Sequence, residues 1–563
     1  MAALTAVLLL GAFSTEVADT DFWWHLATGE YVLENQRLPV PDPFAYTTDL
    51  GEPSYPGEER VRYFNLTHEW LSQALWYCVY AVGGFPLLAL WKGLLLASVC
   101  GLAGFLAWRS GAGMAWSCLT ALAAAPTLLL FAADRPALLT FVLVPVFVVI
   151  LESWRDGGSD RWLWLLPALS LLWANSHGGF FMGWVVLGCY AVEALGSERR
   201  KPLWIAAAAA VAVSGLNPSG FGILAILAGY RESALTQTLI EWSRPPLWGP
   251  PYIFQLLLYA AAALLVARIK QVRIAHGLLF VAFGSAALLA FRNLPLVAFL
   301  APALLAIYGR PLVEGKASRL DPRLGPGLLV GLAATLLVGF GVQGRLFQLR
   351  AAEWKFPVAA TDFIKERNLA GHMFNTYEYG GYLIWALGPE RKTFIDGRAL
   401  NEGVYRDYQA LLYGDQNPAQ TAALRRSLLD KYSVDSIVMN GFEYVSGVVY
   451  PLILDLGRPG LEDWKLIRHD AQAVVFVRNN PANSALIASD EQPLSGVIEH
   501  LDASCRLYIE NSPDLPSCAR NLGFLYLQAG DRERGRAALQ LYLSHWPYGD
   551  PEAEQALRSL GGN

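Results

Sequence analysis

The chain has 563 residues, of which 54% are hydrophobic and only 16% are charged. Soluble globular proteins carry about 25% charged residues, so this composition excludes soluble cytosolic enzymes, disordered chains and collagen-like chains. A net charge of −5 indicates no nucleic-acid partner, and six cysteines are too few to form the disulfide scaffold of a chain this long.

The first part of the chain is dominated by apolar segments. A helix needs about 20 apolar residues to cross a bilayer, and about eleven such segments predict a transmembrane domain over residues 1–345. The first segment lacks the basic start and the small-residue cleavage site of a signal peptide, so we expect it to be retained. The predicted spans begin near Ala2, Pro86, Met114, Leu138, Trp162, Phe180, Leu203, Tyr252, Ile274, Leu294 and Pro326.

The short loops between these segments differ in charge. With the N-terminus placed in the cytoplasm, the inner loops carry most of the basic residues, as in Arg199, Arg200 and Lys201. Basic loops stay in the cytoplasm. This distribution predicts a multi-pass protein of the inner (cytoplasmic) membrane, with a cytoplasmic N-terminus and an extracytoplasmic C-terminal third.

On this topology the unusual polar clusters all lie on the outer face, whereas the inner loops carry mostly basic residues. The asymmetry predicts an active or binding site on the outer side of the membrane. The clusters are at residues 19–25, 68–70, 134–136, 175–179, 216–218, 241–245 and 292–293.

The first outer loop, residues 19–85, is long and acidic. Asp19 and Asp21 directly follow the first span. Two carboxylates at this spacing can supply a general base or hold a divalent metal ion, the one cofactor that the sequence suggests; a solvated helix end is the alternative. Apolar residues at helical spacing over 70–81 predict a helix lying in the membrane interface.

Several runs of sequence resemble a group of bacterial multispanning membrane proteins. The runs are DTDFWWHLATGE from Asp19, LPVPDPFAYT from Leu38, THEWL from Thr67 and FIDGR from Phe394, with shorter matches at 135–136, 175–179, 216–218 and 292–293. These proteins are similar to GT-C type glycosyltransferases, the superfamily of protein mannosyltransferases, aminoarabinose transferases and oligosaccharyltransferase catalytic subunits.

The resemblance implies transfer of a sugar from a polyprenyl-phosphate carrier to an acceptor outside the cytoplasm. It also implies an acidic catalytic residue just after the first span, a position matched by Asp19 or Asp21. Asp21 is preferred because it lies beside Trp23, Trp24 and His25. The paired acids of the mannosyltransferases are not matched residue by residue.

Such a reaction needs a base for the acceptor hydroxyl and positive charge for the leaving phosphate. Arg135, Arg244 and Arg292 lie at predicted helix ends on the outer face and are candidate phosphate-binding residues, with snorkelling to the interface as the alternative. The remaining polar candidates either contact substrate or brace the loops. They are His25, His68, Glu69, His177, Glu241 and Asn293.

The C-terminal part has ordinary charge density. Residues 350–480 alternate between helical stretches and runs of β-forming residues at 392–395, 434–438 and 474–477, which predicts an extracytoplasmic α/β domain. The run 377–382 is similar to the acceptor-holding motif of oligosaccharyltransferases. Tyr379 is therefore a candidate on the acceptor side, with a simple turn at residues 380–381 as the alternative. Asp396 and Arg398 follow a predicted strand and are candidates to face the membrane site, with a turn and a local ion pair as the alternative.

Residues 494–563 read as a short helical-repeat segment similar to tetratricopeptide repeats. Such a segment suggests a protein partner. Cys505 and Cys518 both lie in it, on the predicted outer side, where a disulfide can persist.

The sequence thus predicts an α-helical polytopic membrane protein with a GT-C-like domain, an α/β domain and a helical-repeat segment. The predicted function is a membrane glycosyltransferase, with a polyprenyl-phosphate-linked sugar and membrane lipid as partners. A non-catalytic scaffold that recruits partners through the repeat segment is the main alternative. A transporter is less favoured because the polar residues gather at one face instead of at the middle of the membrane.

Overall fold

The computed structural model describes residues 1–317, 324–398, 400–415 and 417–561. The chain divides into two compact units. The first comprises Met1–Val40 and Tyr55–Ala351, and the second comprises Pro41–Ser54 and Ala352–Asn563. A short piece of the predicted first outer loop therefore belongs to the C-terminal unit.

In the described residues of the first unit, helices are joined by turns and irregular links, and no strand is formed. Its helices are α1 (Ala2–Phe13), α2 (Phe22–Asn35), α3 (Glu58–Thr67), α4 (Trp70–Arg109), α5 (Met114–Leu129), α6 (Ala137–Arg155), α7 (Leu165–Ala174), α8 (Phe181–Glu193), α9 (Arg200–Ser214), α10 (Ile223–Glu232), α11 (Ala234–Thr238), α12 (Tyr252–Ala267), α13 (Ile274–Leu289), α14 (Leu294–Ala317) and α15 (Leu324–Val342).

A helix covers each of the predicted apolar segments. Among the described residues, five helical runs are long and apolar enough to cross a membrane. They include Phe291–Leu312, whose apolar 18-residue stretch is 72% buried inside the protein, and Gly325–Val342, of which only 6% is buried. The first is thus central and the second peripheral, as expected of a multi-pass membrane protein. The number of crossings stays a prediction.

Helix α2 packs against the start of α4. The contact is close because residue 29 is glycine: a Cβ atom there would lie 2.1 Å from the backbone oxygen of Gln73. Helix α4 starts at Trp70 and bends at Gly84, whose φ of 59° lies in the left-handed region that glycine tolerates. The predicted helix over 70–81 is therefore the first part of a longer bent helix.

The second unit combines helices with a small sheet. Its helices are α16 (Val358–Arg367), α17 (Tyr377–Leu387), α18 (Glu402–Tyr413), α19 (Pro418–Lys431), α20 (Pro451–Asp455), α21 (Ser484–Asp490), α22 (Ser495–Asn511), α23 (Ser517–Gln528), α24 (Arg532–His545) and α25 (Pro551–Gly561), and its strands are β1 (His372–Asn375), β2 (Val434–Met439), β3 (Trp464–His469) and β4 (Val474–Arg478).

The strand order is β1-β2-β4-β3, with β1 and β2 parallel and the other neighbours antiparallel. Alternate strand residues face two different cores. Phe374 and Phe476 join the core that includes α18, α19 and α22. Met373 and Val475 join the core that includes α16 and α17. The sheet is therefore covered by helices on both faces.

The predicted strand at 392–395 is wrong. Thr393 makes a single bridge to Ala45, within a segment that has no further ladder. The Thr393 N–H donates to the Phe44 oxygen at 2.9 Å, and the Tyr46 N–H donates to the Thr393 oxygen at 3.1 Å. Residues 393–395 are buried, but they form only this one bridge, so the run does not become a strand.

The last helices pack on one another. Gly523 of α23 lies against Leu539 of α24, where an added Cβ would approach the leucine to 2.6 Å. A disulfide joins Cys505 of α22 to Cys518 of α23. The helix pair agrees with the predicted helical segment, and its likeness to tetratricopeptide repeats stays a prediction.

Candidate functional site

Asp19, Asp21 and Arg135 form one ion-paired group in the first unit. Asp19 Oδ1 accepts the N–H of Asp21 at 2.9 Å, which folds the link between α1 and α2 into a turn. Arg135, just before α6, donates from Nε to Asp19 Oδ2 at 2.6 Å and from Nη2 to Asp19 Oδ1 at 3.1 Å. Its Nη2 also lies 2.9 Å from Asp21 Oδ2. Arg135 therefore binds both acids, and Asp19 by two parallel contacts.

The group continues to two residues from the second half of the unit. Nη1 of Arg135 lies 3.5 Å from Oε2 of Glu241, and Oε1 of Glu241 lies 3.5 Å from Nη1 of Arg292. The guanidinium of Arg292 stacks over the Trp242 ring at 4.4 Å. Acids and arginines thus alternate along a chain that starts at Asp19 and ends at Arg292; we call it the charge chain.

A buried ion pair lies behind the charge chain. Lys92 of α4 is fully buried and donates to Oδ2 of Asp134 at 3.0 Å and to the Glu16 backbone oxygen at 3.1 Å. Asp134 precedes Arg135, so the pair holds the backbone next to the arginine. Lys92 is absent from the residues predicted from the sequence. Its signal was available, because a lysine inside an apolar span marks a functional position.

A second group surrounds Glu69, the residue before α4. Its carboxylate lies 3.3 Å from His68 Nε2, 3.5 Å from His25 Nδ1 and 3.8 Å from His177 Nε2. All four side chains are mostly buried. The predicted histidines and Glu69 are thus brought together from α2, the link between α3 and α4, and the link before α8.

Hydrogen bonds assign the protons on two of these histidines. His177 Nδ1 accepts the Gly179 N–H at 3.0 Å and faces the Thr140 hydroxyl at 2.8 Å, so its Nε2 carries the hydrogen that points toward Glu69. His68 Nδ1 lies 2.7 Å from the Phe64 oxygen, which can only accept. His68 Nδ1 therefore carries the hydrogen that it donates to this oxygen.

The pKa values of the buried groups separate Asp21 from the histidines. Burial raises the pKa of Asp21 to about 7; the charge of Arg135 lowers it, while the charges of Asp19 and Glu241 raise it further. Burial lowers the pKa of His25 to about 4 and that of His177 to about 3. At neutral pH both imidazoles are uncharged, and Asp21 can exchange a proton.

Two other predicted residues of the first unit lie outside the charge chain. Arg244 is exposed. The side-chain nitrogen of Asn293 donates to the Ala286 backbone oxygen at 2.9 Å, which closes the turn between α13 and α14. Asn293 therefore braces the segment that carries Arg292.

The predicted acceptor-side residues lie in the core of the second unit. Tyr379 is fully buried, and its hydroxyl donates to the Gln472 backbone oxygen. Arg398 binds Asp42 through Nη1 and Nη2 at 2.8 and 3.1 Å and Asp396 through Nε at 2.7 Å. Internal partners occupy these polar atoms, and a role on the acceptor side stays a prediction.

The side chains at Asp19 and Asp21 do not fit a divalent metal ion. The Arg135 guanidinium is already within 2.6 and 2.9 Å of their oxygens, so a cation bound there would face a fixed positive charge. Across the described ranges, no group of three or more His, Cys, Asp or Glu side chains is arranged to hold a metal ion. Arg135 supplies the positive charge between the two acids.

No family model matches the chain, and no curated protein matches it in sequence. Solved structures do match. Archaeal oligosaccharyltransferase AglB from Archaeoglobus fulgidus, in complex with an inhibitory peptide and a dolichol-phosphate, is 12% identical at a TM-score of 0.51, over 78% of this chain and 68% of that chain. The chain has a GT-C-like fold.

The Archaeoglobus fulgidus oligosaccharyltransferase tethered to an acceptor peptide with the NVT sequon is also similar. It is 12% identical at a TM-score of 0.51, over 82% of this chain and 71% of that chain. At this identity the likeness concerns the fold, and the function is argued from the site.

Proposed function

We propose that the protein is a membrane glycosyltransferase that moves a sugar from a polyprenyl-phosphate carrier to an extracytoplasmic glycan, lipid or protein. The observation that carries this proposal is the charge chain, in which a carboxyl group of raised pKa contacts Arg135 and a second arginine, Arg292, follows through Glu241. The fold supports it, since one similar structure was solved with a dolichol-phosphate, itself a polyprenyl phosphate.

Asp21 is the proposed general base. Its side chain is 16% exposed, against 7% for Asp19, and its contact with Arg135 uses one carboxylate oxygen, whereas Asp19 uses both. A carboxylate with a pKa of about 7 is suited to accept a proton at neutral pH. Asp19 fits a positioning role, because it holds the guanidinium of Arg135.

The two arginines are the proposed phosphate-binding residues. In the reaction the acceptor oxygen forms a bond to the anomeric carbon of the sugar and its proton passes to Asp21. The bond between that carbon and the carrier phosphate oxygen breaks, and the electron pair leaves on the phosphate. Arg135 and Arg292 stabilise that charge by hydrogen bonds from their guanidinium groups.

Turnover by the purified full chain in lipid nanodiscs tests the proposal. A panel of polyprenyl-phosphate sugars is offered with envelope extracts as acceptor, and the released carrier is measured by mass spectrometry. We expect Asp21→Asn to lower turnover by about 10²–10⁴-fold, the usual size of a lost general base. Glu34→Gln is the matched control, because Glu34 is an exposed acid on the same helix as His25.

Retained turnover in Asp21→Asn would contradict the assignment of the base. If wild-type protein neither turns over nor binds any donor, the glycosyltransferase proposal fails, and the scaffold alternative is favoured.

A further inference from the structure

Glu241 holds an unusual position in the charge chain. Its two carboxylate oxygens face two different arginines, each at 3.5 Å. A phosphate group has the same ability to accept hydrogen bonds from two guanidinium groups through separate oxygens. Glu241 therefore occupies the place where one phosphate would bridge Arg135 and Arg292.

The contacts of Glu241 are weaker than the others in the chain. Its side chain is 38% exposed, and both of its contacts are long compared with the 2.6 Å between Arg135 and Asp19. Ion pairs this exposed add little stability. A ligand that binds both arginines more strongly can displace the Glu241 side chain without disturbing the pair that anchors Arg135.

Arg292 is held in place by groups other than Glu241. Its guanidinium stacks on Trp242 at 4.4 Å, and the N–H of the neighbouring Phe291 donates to the Ser243 backbone oxygen at 2.9 Å. The spacing of the two arginines therefore does not depend on the carboxylate between them, and it stays suited to a bridging anion.

We infer that Glu241 is a displaceable occupant of the phosphate site: it neutralises Arg135 and Arg292 in the unliganded protein and is expelled when a phosphate group binds between them. This inference rests on the proposed function. It goes further in assigning Glu241 an inhibitory contact, so that the carboxylate competes with the ligand. The ligand chemistry is a phosphate, carried on a polyprenyl chain or free in solution.

Binding of farnesyl phosphate and of inorganic phosphate to the full chain in nanodiscs, measured by calorimetry, tests the inference. We expect Glu241→Gln to tighten binding of farnesyl phosphate by about fivefold, the size of one exposed ion pair. Glu232→Gln removes the same charge from an exposed position on α10 and is expected to leave Kd within about twofold.

Glu241→Asp tests the position of the carboxylate separately from its charge. Its carboxylate keeps the charge but is one methylene short of both guanidinium groups, so we expect it also to tighten binding. If only Glu241→Gln tightens binding, the effect is one of net charge and the inference is overturned. Tightening for inorganic phosphate as well supports the inference and identifies the phosphate group alone as the ligand. Tightening for farnesyl phosphate alone supports it with the prenyl chain as a required part.

The two proposals fail in different ways. Arg292→Gln is expected to weaken farnesyl phosphate binding by about tenfold or more, the value of a charged hydrogen bond. If Arg292→Gln weakens farnesyl phosphate binding but neither Glu241 variant tightens it, competition between Glu241 and the ligand is refuted, and the proposed function stands. If neither the wild-type protein nor any variant binds farnesyl phosphate or inorganic phosphate, both the inference about Glu241 and the proposed function are refuted.

Discussion

Asp19 and Asp21 are two residues apart and have different surroundings. Asp19 is almost fully buried and accepts hydrogen bonds from Arg135 and from the Asp21 backbone, so both its oxygens are occupied. Asp21 is more exposed and shares one oxygen with the same arginine. The first arrangement positions a cation, and the second leaves a carboxylate able to exchange protons.

The pKa of Asp21 gives a pH dependence with a definite sign. The base acts as a carboxylate, so kcat/KM is expected to rise with pH through about 7 and to level off above it. Asp19→Asn removes a negative charge near Asp21 and lets Arg135 interact more strongly with Asp21. Both changes lower the pKa of Asp21. We therefore expect the midpoint of the profile to move to lower pH.

This profile is measured with the donor that supports turnover, over about pH 5 to 9. Glu34→Gln is expected to leave the midpoint unchanged, because that acid is exposed on the far end of α2. An unchanged midpoint in Asp19→Asn would show that the rise of kcat/KM with pH reports the titration of a group other than Asp21.

At the scale of elements, the site depends on how closely α2 approaches α4. His25 lies in α2 and Glu69 directly precedes α4, and Gly29 is the residue that lets the two helix backbones meet. Gly29 is part of the run from Asp19 that carries the family resemblance. Packing explains why this position is glycine, because a side chain at residue 29 would have no space.

Gly29→Ala is expected to destabilise the first unit. The added Cβ would meet the Gln73 oxygen at 2.1 Å, so α2 must shift, at a cost of about 1–3 kcal/mol of unfolding free energy. The measurement is the Tm of the full chain in detergent. Gly101→Ala on α4 is the control, since its Cβ meets nothing within 4 Å, and its Tm is expected to be equal or higher. Equal Tm values for both variants would contradict this account.

At the scale of the whole molecule, the chain passes between its two units more than once. Residues 41–54 leave the first unit and pack into the second, where Asp42 pairs with Arg398 and the Asn401 side chain donates to the Leu50 oxygen at 2.8 Å. The second unit is thus incomplete without a piece of the first outer loop. A fragment that begins after residue 351 would lack that piece.

Arg398→Met is expected to loosen this segment. The substitution leaves the buried carboxylates of Asp42 and Asp396 without their cation, which costs about 3–5 kcal/mol in the second unit. Hydrogen exchange over residues 41–54 is expected to accelerate. Arg406→Met is the control, because Arg406 reaches the same segment only through an exposed hydrogen bond to Ser54. Equal exchange in the two variants would refute the role of Arg398.

Much of the helical framework was predictable because hydrophobicity is a local property of the chain. Each apolar segment has a helix, from Ala2 to Val342, since a backbone in lipid must satisfy its own hydrogen bonds. The prediction of a strand at 392–395 failed because a strand needs a neighbouring strand to pair with. This run makes only one bridge, to a segment far away in the sequence.

The sequence by itself placed Asp19 and Asp21 directly after the first span, and it placed Arg135, Arg244 and Arg292 at predicted helix ends on the outer face. Only the tertiary structure decided which of them pair. Asp19 and Arg135 are 116 residues apart, and their contact depends on how α1 and α6 each pack against α4. The same holds for Glu241 between two arginines and for Lys92 behind Asp134, because an ion pair between distant residues is set by the packing of the elements that carry them.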